Sequence, residues 1–542
     1  MKLTMQCTGR PSSAESEANS ITKSGAKPFA IKSLAFCALL AGAMAASTFA
    51  HAQRAKDTLR IAFVDPIATI DPYIDPQPES SLLVTAVYNK LVTYLSDSKE
   101  FKPDLAESWK QIDPVTLEVK LRQGVKFHDG KEMTADDVVY TYSYITNPDS
   151  NLRFAANWNW IKETVKVDTY TVRIIAKTPT PFALARLATT TPIFPAHIHP
   201  NFKGRGEFGR RSAVGTGPYR VEYVDANKGV MLVRNDNYAS PGPWSPKAAI
   251  ARIHVLPMPE IQTQIAQMMT GGLDIILKAP KDQAEQLSSM PNITTTAIRN
   301  TVYYYVNVDA AGRSGHPALK NRDVRRALFM AIDRKALTQS IIAGGDQVEV
   351  ADAPCTSLQF GCETAIPPVG FDRNAAKALL AKAGFPNGFD LDITSIQGTH
   401  ELAEAIAGQL RAIGVRAQLS RATMAAYRKK QADGQLQMLI ANFSSGGLPD
   451  VQSVLDFYMG TPSRDYWGDE ELKRMMNAAA VEMDQAKRLA IFRAAFGRMN
   501  EQAYVLPVSN FPAVLIHTRE VTMPNVSSIF SGVEFNNIRW VK

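Results

Sequence analysis

The stretch Asp372-Arg-Asn-Ala-Ala-Lys-Ala-Leu-Leu-Ala-Lys-Ala-Gly384 reads as a helix with both ends marked. Asp372 suits the N-cap, because its carboxylate can accept from a backbone N–H that has no partner inside the helix. Ala376, Leu379, Leu380 and Ala383 recur at three- and four-residue spacing, which places them on one inward face. Gly384 stands just past the end, where a left-handed residue closes the last turn. Further along, Leu402, Ile406, Leu410 and Ile413 form a second such stripe, Gly414 stops it, and Val415-Arg-Ala-Gln-Leu419 follows as a strand. Upstream, Asn321 to Ala343 is predicted as one long helix with Val324, Ala327, Leu328, Ala331 and Ile332 inward. Helix and strand alternate from about 320 to 445, and that alternation is the mark of an α/β fold.

The first half carries more strands. Leu59-Arg-Ile-Ala-Phe-Val64 is an apolar strand stopped by Asp65-Pro66, and 82–95 is predicted as a helix through Leu83, Val84, Val87 and Leu91. Leu117, Val119 and Leu121 alternate as a half-buried strand, and Asp129-Gly130 is a turn. Thr134-Ala-Asp-Asp137 spells a capping box for a helix reaching Thr146. Gly217 to Val224 and Val230 to Arg234 are a strand pair around Asp225–Gly229, with Gly229 free to take positive φ. Glu260 to Thr270 is helical, Gly271-Gly272 leads into the strand Leu273 to Leu277, and Tyr303 to Val308 is a further strand.

At 542 residues the chain exceeds one compact domain and suggests about three, or two large lobes. Apolar residues at 45% and charged residues at 21% describe a globular protein and exclude collagen-like or broadly disordered classes. A formal charge of +8 is too thinly spread to indicate nucleic-acid binding. Lys23, Lys27 and Lys32 precede the apolar run Ser33 to Ala50, and Ala50-His51-Ala52 offers an A-x-A cleavage site. Residues 1–52 are therefore expected to be a cleaved export signal, since the run is too short and Ala-rich for a membrane anchor. Phe36 before Cys37 argues against a lipoprotein site, and no long apolar run follows. The expected location is periplasmic. Loss of the leader removes Cys7 and Cys37 and leaves Cys355 and Cys362, which are expected to close a small disulfide loop. A closed zinc site would need four ligands.

Gly204-Arg-Gly-Glu-Phe-Gly209 spells G-x-G-x-x-G, yet no strand precedes it and Arg210-Arg211 follows where a nucleotide fold needs an apolar helix. His197 and His199 have no third ligand nearby. No H-E-x-x-H, G-x-S-x-G or Walker A motif occurs, so no catalytic group, metal or cofactor is expected, and Arg428-Lys-Lys430 reads as a solvated face.

Several blocks together resemble the family 5 extracellular solute-binding proteins, which include dipeptide-, oligopeptide- and nickel-binding members. They are Lys102-Pro-Asp-Leu-Ala-Glu-Ser-Trp109, Leu121-Arg-Gln-Gly-Val-Lys-Phe-His-Asp-Gly130, Thr134-Ala-Asp-Asp-Val138, Gly215-Thr-Gly-Pro-Tyr219, Asp323-Val-Arg-Arg-Ala-Leu328 with Ala331-Ile-Asp333, and Gln409-Leu-Arg-Ala-Ile-Gly-Val415. The resemblance implies a two-lobed periplasmic-binding-protein (Venus-flytrap) fold of the α/β class. Lobe I would comprise about 56–301 plus 509–542, with a subdomain at roughly 89–210, and lobe II about 302–508. The crossings would be Tyr303 to Val308 and Tyr504 to Asn510. It further implies a monomer that captures a small solute, peptide or amino-acid-derived, between the lobes. Closure would then present it to the membrane permease of an ABC importer with separate cytoplasmic ATPases. An exported hydrolase or peptidase, and a periplasmic sensor or chaperone on the same lobes, are the alternatives.

In peptide-binding relatives an acidic residue after a lobe II strand pairs with the peptide amine. The matching stretch Met438 to Asp450 places Ser445 at that position and Asn442 where many relatives carry Trp. A neutral hydroxyl lacks the charge-assisted bond to an ammonium, which argues against a plain peptide. Asp450 would substitute only in a shifted register and is expected to cap the next helix instead. The expected ligand-binding residues are Asn442, Phe443, Ser444 and Ser445, with Ser80 and Ser81 ahead of a lobe I helix. Trp158, Trp160, Arg421 and Tyr427 complete the set, each with a packing or solvent-facing role as its alternative.

Overall fold

The computed structural model describes residues 57–541 except 76–77, 153–154, 190, 278, 524–527 and 529–533. The export signal and its cleavage site lie outside the described residues. Thr58–Phe63, whose Leu59, Ile61, Ala62 and Phe63 are all buried, runs in the middle of a seven-stranded sheet. It is parallel to Arg252–Pro257 and to Ile275–Ile276. Gly229–Arg234 and Tyr219–Asp225 extend one side antiparallel, while Ala513–Thr518 and Ile293–Ile298 extend the other. Gly229 takes φ +88°, and a Cβ there would lie 1.9 Å from the Val255 carbonyl oxygen, so the turn tolerates no side chain.

Between the first two strands of that sheet the chain builds a separate antiparallel sheet, in the order Ala106–Asp113, Thr116–Leu121, Thr171–Ala176, Ile161–Asp168. The helix Ala135–Thr146 packs against it. The helix starts at the predicted capping box, where Thr134 N–H donates to Asp137 Oδ2 at 2.9 Å.

The five-stranded sheet runs Arg416–Ala422, Asp390–Ile396, Met438–Ser444, Val302–Val308, Val505–Asn510. Asp390–Ile396 is parallel to both its neighbours, and Val302–Val308 is antiparallel to both of its own. The cap reading holds here too: Asp372 Oδ1 accepts from Ala375 N–H at 2.8 Å, and Gly384 closes the helix Arg373–Lys382 with φ +94°.

Buried apolar residues sort with the sheets. One set runs from Leu59 to Ile298 and resumes from Leu515 to Ile538, and the other lies between Tyr303 and Val508. The chain passes between sheets at 299–301 and at 511–512, within one compact unit, Lys56–Lys542. Tyr303 to Val308 and Tyr504 to Asn510 therefore lie within or beside the second sheet rather than crossing. The crossings run side by side: Phe511 N–H donates to Val302 O at 2.9 Å, and Val302 N–H to Asn300 Oδ1 at 2.8 Å.

Two predicted helices are corrected. The one expected over 82–95 is Pro78–Val87, and Val92–Leu95 is a strand paired with Glu100–Pro103. Tertiary bonds end it: Tyr88 Oη donates to Ile70 O, and the Asn89 amide donates to Asp104 and to Tyr238. The helix expected over 321–343 is two, Arg322–Met330 and Arg334–Ile341. Asp333 makes the break by accepting from Ala336 N–H at 3.0 Å, the N-cap geometry that competes with helix continuation.

Candidate functional site

In sheets with parallel strands, ligands bind outside the carboxyl ends of those strands. Met438–Ser444 ends there in the turn Ser445–Leu448, shaped by Gly446 at φ +65° and Gly447 at φ +83°. Asn442 is half-buried and stands opposite Tyr304. Phe443 packs its ring 4.2 Å from Phe457 and 5.7 Å from Tyr303. Ser444 is exposed and accepts from Gly446 N–H at 3.2 Å, and Ser445 Oγ donates to Leu448 O at 2.9 Å.

Cys355 and Cys362 are disulfide-bonded, and the loop they close is stitched to the stretch beyond Ser445. Gln359 Nε2 donates to Leu448 O at 3.2 Å, Phe360 N–H to Pro449 O at 3.0 Å, and Val451 N–H to Phe360 O at 3.1 Å. The first half of the chain reaches the same loop, because Tyr94 Oη donates to Leu358 O at 2.9 Å. Beside the loop lies a half-open cavity of about 160 Å³ walled by Glu349, Asp352, Thr356, Ser357, Glu363 and Asn510 among others. Asn510 precedes the second crossing and is held by its amide, which donates to Gln347 O at 2.8 Å and accepts from Glu349 N–H at 2.7 Å. Asp352 and Glu363 have arginines at 3.7 Å, Arg334 and Arg493 respectively.

Asp450 is buried and committed. Its carboxylate accepts from Arg488 Nη1 at 2.5 Å and Nη2 at 2.9 Å, and also from Gln452 N–H at 2.9 Å at the start of the helix Gln452–Met459. The Arg488 guanidinium lies 4.7 Å from the Phe492 ring and 5.7 Å from that of Phe182, which belongs to the first half of the chain. Close by, burial pushes the Asp456 carboxyl up and the Arg186 guanidinium down, while their mutual attraction opposes both. Asp450 is therefore not the expected cap: Val451 holds the N-cap position without a side-chain bond, and Asp450, one residue earlier, accepts from Gln452 N–H while its dominant partner is Arg488, an ion pair that sequence reasoning did not find.

The remaining expected residues scatter. The helix begins at Pro78, so Ser80 and Ser81 lie inside its first turn rather than ahead of it; Ser80 is buried and donates to Asp75 Oδ2 at 3.1 Å. Trp158 is 3% exposed, with its ring 5.3 Å from Tyr73 in the first core, and Trp160 packs half-buried on that core. Arg421 is exposed on the strand at the sheet's edge and pairs with Glu404. Tyr427 is buried in the second core and accepts from Gln431 Nε2 at 2.9 Å. The structure therefore gathers Asn442 to Ser445 beside the disulfide loop, and the others lie elsewhere. Glu349, Asp352, Thr356, Glu363 and Asn510 were missed, although the paired cysteines marked their loop.

His199 is buried against Tyr140, which shares a hydrogen bond with its ring, and burial holds its pKa down to about 4. His197 faces Asp129 at 2.6 Å. Among the described residues no group of three or more His, Cys, Asp or Glu is placed to hold a metal, and no helix is long and apolar enough to cross a membrane.

Comparison with known proteins agrees with this architecture. The heme-binding protein A of Haemophilus influenzae is 26% identical over 458 residues, covering 78% of this chain and 81% of that one. The glutathione-binding protein GsiB of Escherichia coli (strain K12) is 26% identical over 514 residues, covering 91% and 96%. The solved structure of HbpA2 from Haemophilus parasuis superposes with a TM-score of 0.76 at 24% identity, covering 90% of this chain and all of that one. The family model for the bacterial extracellular solute-binding proteins, family 5 (middle), matches residues 100–465, and the chain belongs to that family.

Proposed function

We propose that this chain is the substrate-binding component of an ABC import system, a receptor without chemistry of its own. It takes a small peptide-like or amino-acid-derived solute between two lobes, about 56–301 with 509–542 and about 302–508, and delivers it to membrane permease subunits. The observation that carries this reading is the meeting of three segments at one place. The disulfide loop and Asn510, at the end of the last strand before the chain passes between sheets, wall a cavity, and the same loop is bonded to the Ser445–Leu448 turn through Gln359 and to the first half of the chain through Tyr94. Solute held there contacts groups whose arrangement changes on closure, so binding shifts the population toward the closed form.

Two relatives are named for heme and for glutathione, so solutes other than plain peptides are within reach of this scaffold. Ser445 fits that breadth: its hydroxyl is neutral and donates to Leu448 O, and Asp450 is held by Arg488. Export is expected with cleavage near Ala52. Native mass spectrometry of the protein taken from the periplasm without denaturation tests the reading. One small molecule per chain, released unchanged on mild denaturation, is the expected result. Turnover of that molecule would instead favour the hydrolase alternative.

A further inference from the structure

We propose that Arg186 is a latch between the two halves of the chain: set beside the cluster of Asp450, Asp456 and Arg488, with the Phe182 ring between the two guanidiniums, it holds the lobes in the closed form. This rests on the receptor reading above and concerns residues outside the cavity beside the disulfide loop. Arg186 stands in the short helix Ala183–Leu187, which packs on the strand Val92–Leu95 that carries Tyr94. One patch of the first half thus presents Tyr94, Phe182 and Arg186 together, and residues of 302–508 meet it. Tyr94 Oη reaches Leu358 O at 2.9 Å. The Phe182 ring centroid lies 5.6 Å from the Arg186 guanidinium and 5.7 Å from that of Arg488, so cations from different halves share one ring.

Two guanidiniums around one ring repel unless carboxylates stand with them, and the carboxylates here, Asp450 and Asp456, both belong to the second half. Asp450 is engaged by Arg488 through two hydrogen bonds and by Gln452 N–H. Asp456 is half-buried on the helix Gln452–Met459, and among the described residues its carboxylate accepts one side-chain hydrogen bond, from the neutral Gln452 Nε2 at 2.9 Å. Of the cations, Arg186 attracts it most, ahead of Arg488 from its own half. Arg186, also half-buried, donates within the first half to a neutral acceptor, Asn157 Oδ1, at 3.1 Å. At this place the second half therefore carries two carboxylates and one guanidinium, and the first half carries one guanidinium. Each side has one unbalanced charge, and the two balance only when the halves meet. Parted, both charges are solvated by water; together and half-buried, they attract more strongly than in bulk water. An attraction of that size can be broken and remade, as a receptor that must release its solute requires.

The test is the distance between nitroxide labels on Lys162→Cys in the first half and Arg428→Cys in the second, both exposed positions, read by pulsed electron resonance on the full exported chain freed of retained solute. The labelled parent should show a short and a long distance population. Arg186→Met should move their ratio about fivefold toward the long one, the worth of a partly exposed ion pair. Added salt should shift the parent the same way and the variant little. Arg186→Lys keeps the charge and should keep most of the parent ratio, and Arg210→Met, an exposed cation of the same half outside the cluster, should leave it unchanged. Arg186→Asp combined with Asp456→Lys exchanges the two charges and should restore what each substitution alone loses. Far-UV circular dichroism will show that the variants fold. If Arg186→Met leaves the ratio as it is, or if one distance is found in parent and variants alike, the contact is a fixed seat and the latch is overturned. The receptor reading stands in either case, and it falls only if the protein taken from the periplasm retains no solute.

Discussion

Replacing Arg488 with Met removes one half of a buried ion pair and leaves the other half in place. Asp450 and Arg488 have side chains only 5% and 2% exposed and share two hydrogen bonds, at 2.5 and 2.9 Å. Without the guanidinium the Asp450 carboxylate keeps the Gln452 N–H but loses its counter-charge, and the Ala479 carbonyl loses the Nε–H that reaches it at 2.8 Å. Breaking such a pair from one side costs about 3–5 kcal/mol, most of it the penalty of an uncompensated buried charge. Methionine retains much of the apolar contact with Phe492 and Phe360, so packing loss adds little. Arg488→Met is therefore expected to lose about 4 kcal/mol in urea unfolding at neutral pH, followed by far-UV circular dichroism. Asp450→Asn should cost a similar amount by stranding the cation. The double variant removes both charges, so its loss should fall short of the sum of the two by about 2 kcal/mol or more. A loss below about 1 kcal/mol for Arg488→Met, or strict additivity in the double variant, would refute the argument that this pair is desolvated and mutually dependent.

Three further outcomes are expected. Opening the Cys355–Cys362 loop with Cys355→Ser and Cys362→Ser should destabilise by about 2 kcal/mol from the chain entropy of a short loop. It should also weaken solute binding, because the loop carries the Leu448 and Pro449 contacts; comparing oxidised and reduced wild type by unfolding and calorimetry checks both effects. Tyr94→Phe removes the hydroxyl bond to Leu358 O and should lower solute affinity roughly fivefold, the worth of about 1 kcal/mol, with little change in melting temperature. Burial pushes the Asp71 carboxyl up to about 6, so between its unfolded value of 3.8 and that point the native state binds the extra proton and stability falls as pH rises. Asp71→Asn should match wild type near pH 4 and exceed it by up to about 3 kcal/mol above pH 6, less whatever the weaker bond from Tyr73 N–H loses; unfolding curves across that range decide it.

What could be read in the sequence was local. The Asp372 and Thr134 caps and the Leu402–Leu410 stripe depend on neighbours within one or two turns, and the structure forms them as spelled. The misreadings arose where distant partners decide. Periodicity alone carries a helix through Tyr88, but the bond from Tyr88 to Ile70 and those from Asn89 to Asp104 and Tyr238 end it. Arg421 and Arg488 look alike in sequence; one is exposed at a sheet edge, and the other is buried because Asp450, 38 positions away, is brought to it. Trp158 illustrates the same limit, since an indole ring suits a ligand pocket and a core equally until Tyr73 is seen against it.

The candidate site follows the same logic. Its walls come from 349–353, 355–357 and 362–364, and are completed by Asn510, well over a hundred positions on. The cysteine pair was the one legible sign of it, because a short cross-link fixes a loop whose backbone could not otherwise hold one shape. Once fixed, the loop is bonded on one side to Leu448, Pro449 and Val451 and on the other to Tyr94 from the first half of the chain. A group entering the cavity touches the wall that includes Asn510, one residue before the chain crosses between sheets. If the solute binds there, as proposed, its contacts fall beside the segment that relative motion of the lobes would have to bend, and only a difference in those contacts between the open and closed forms would bias closure.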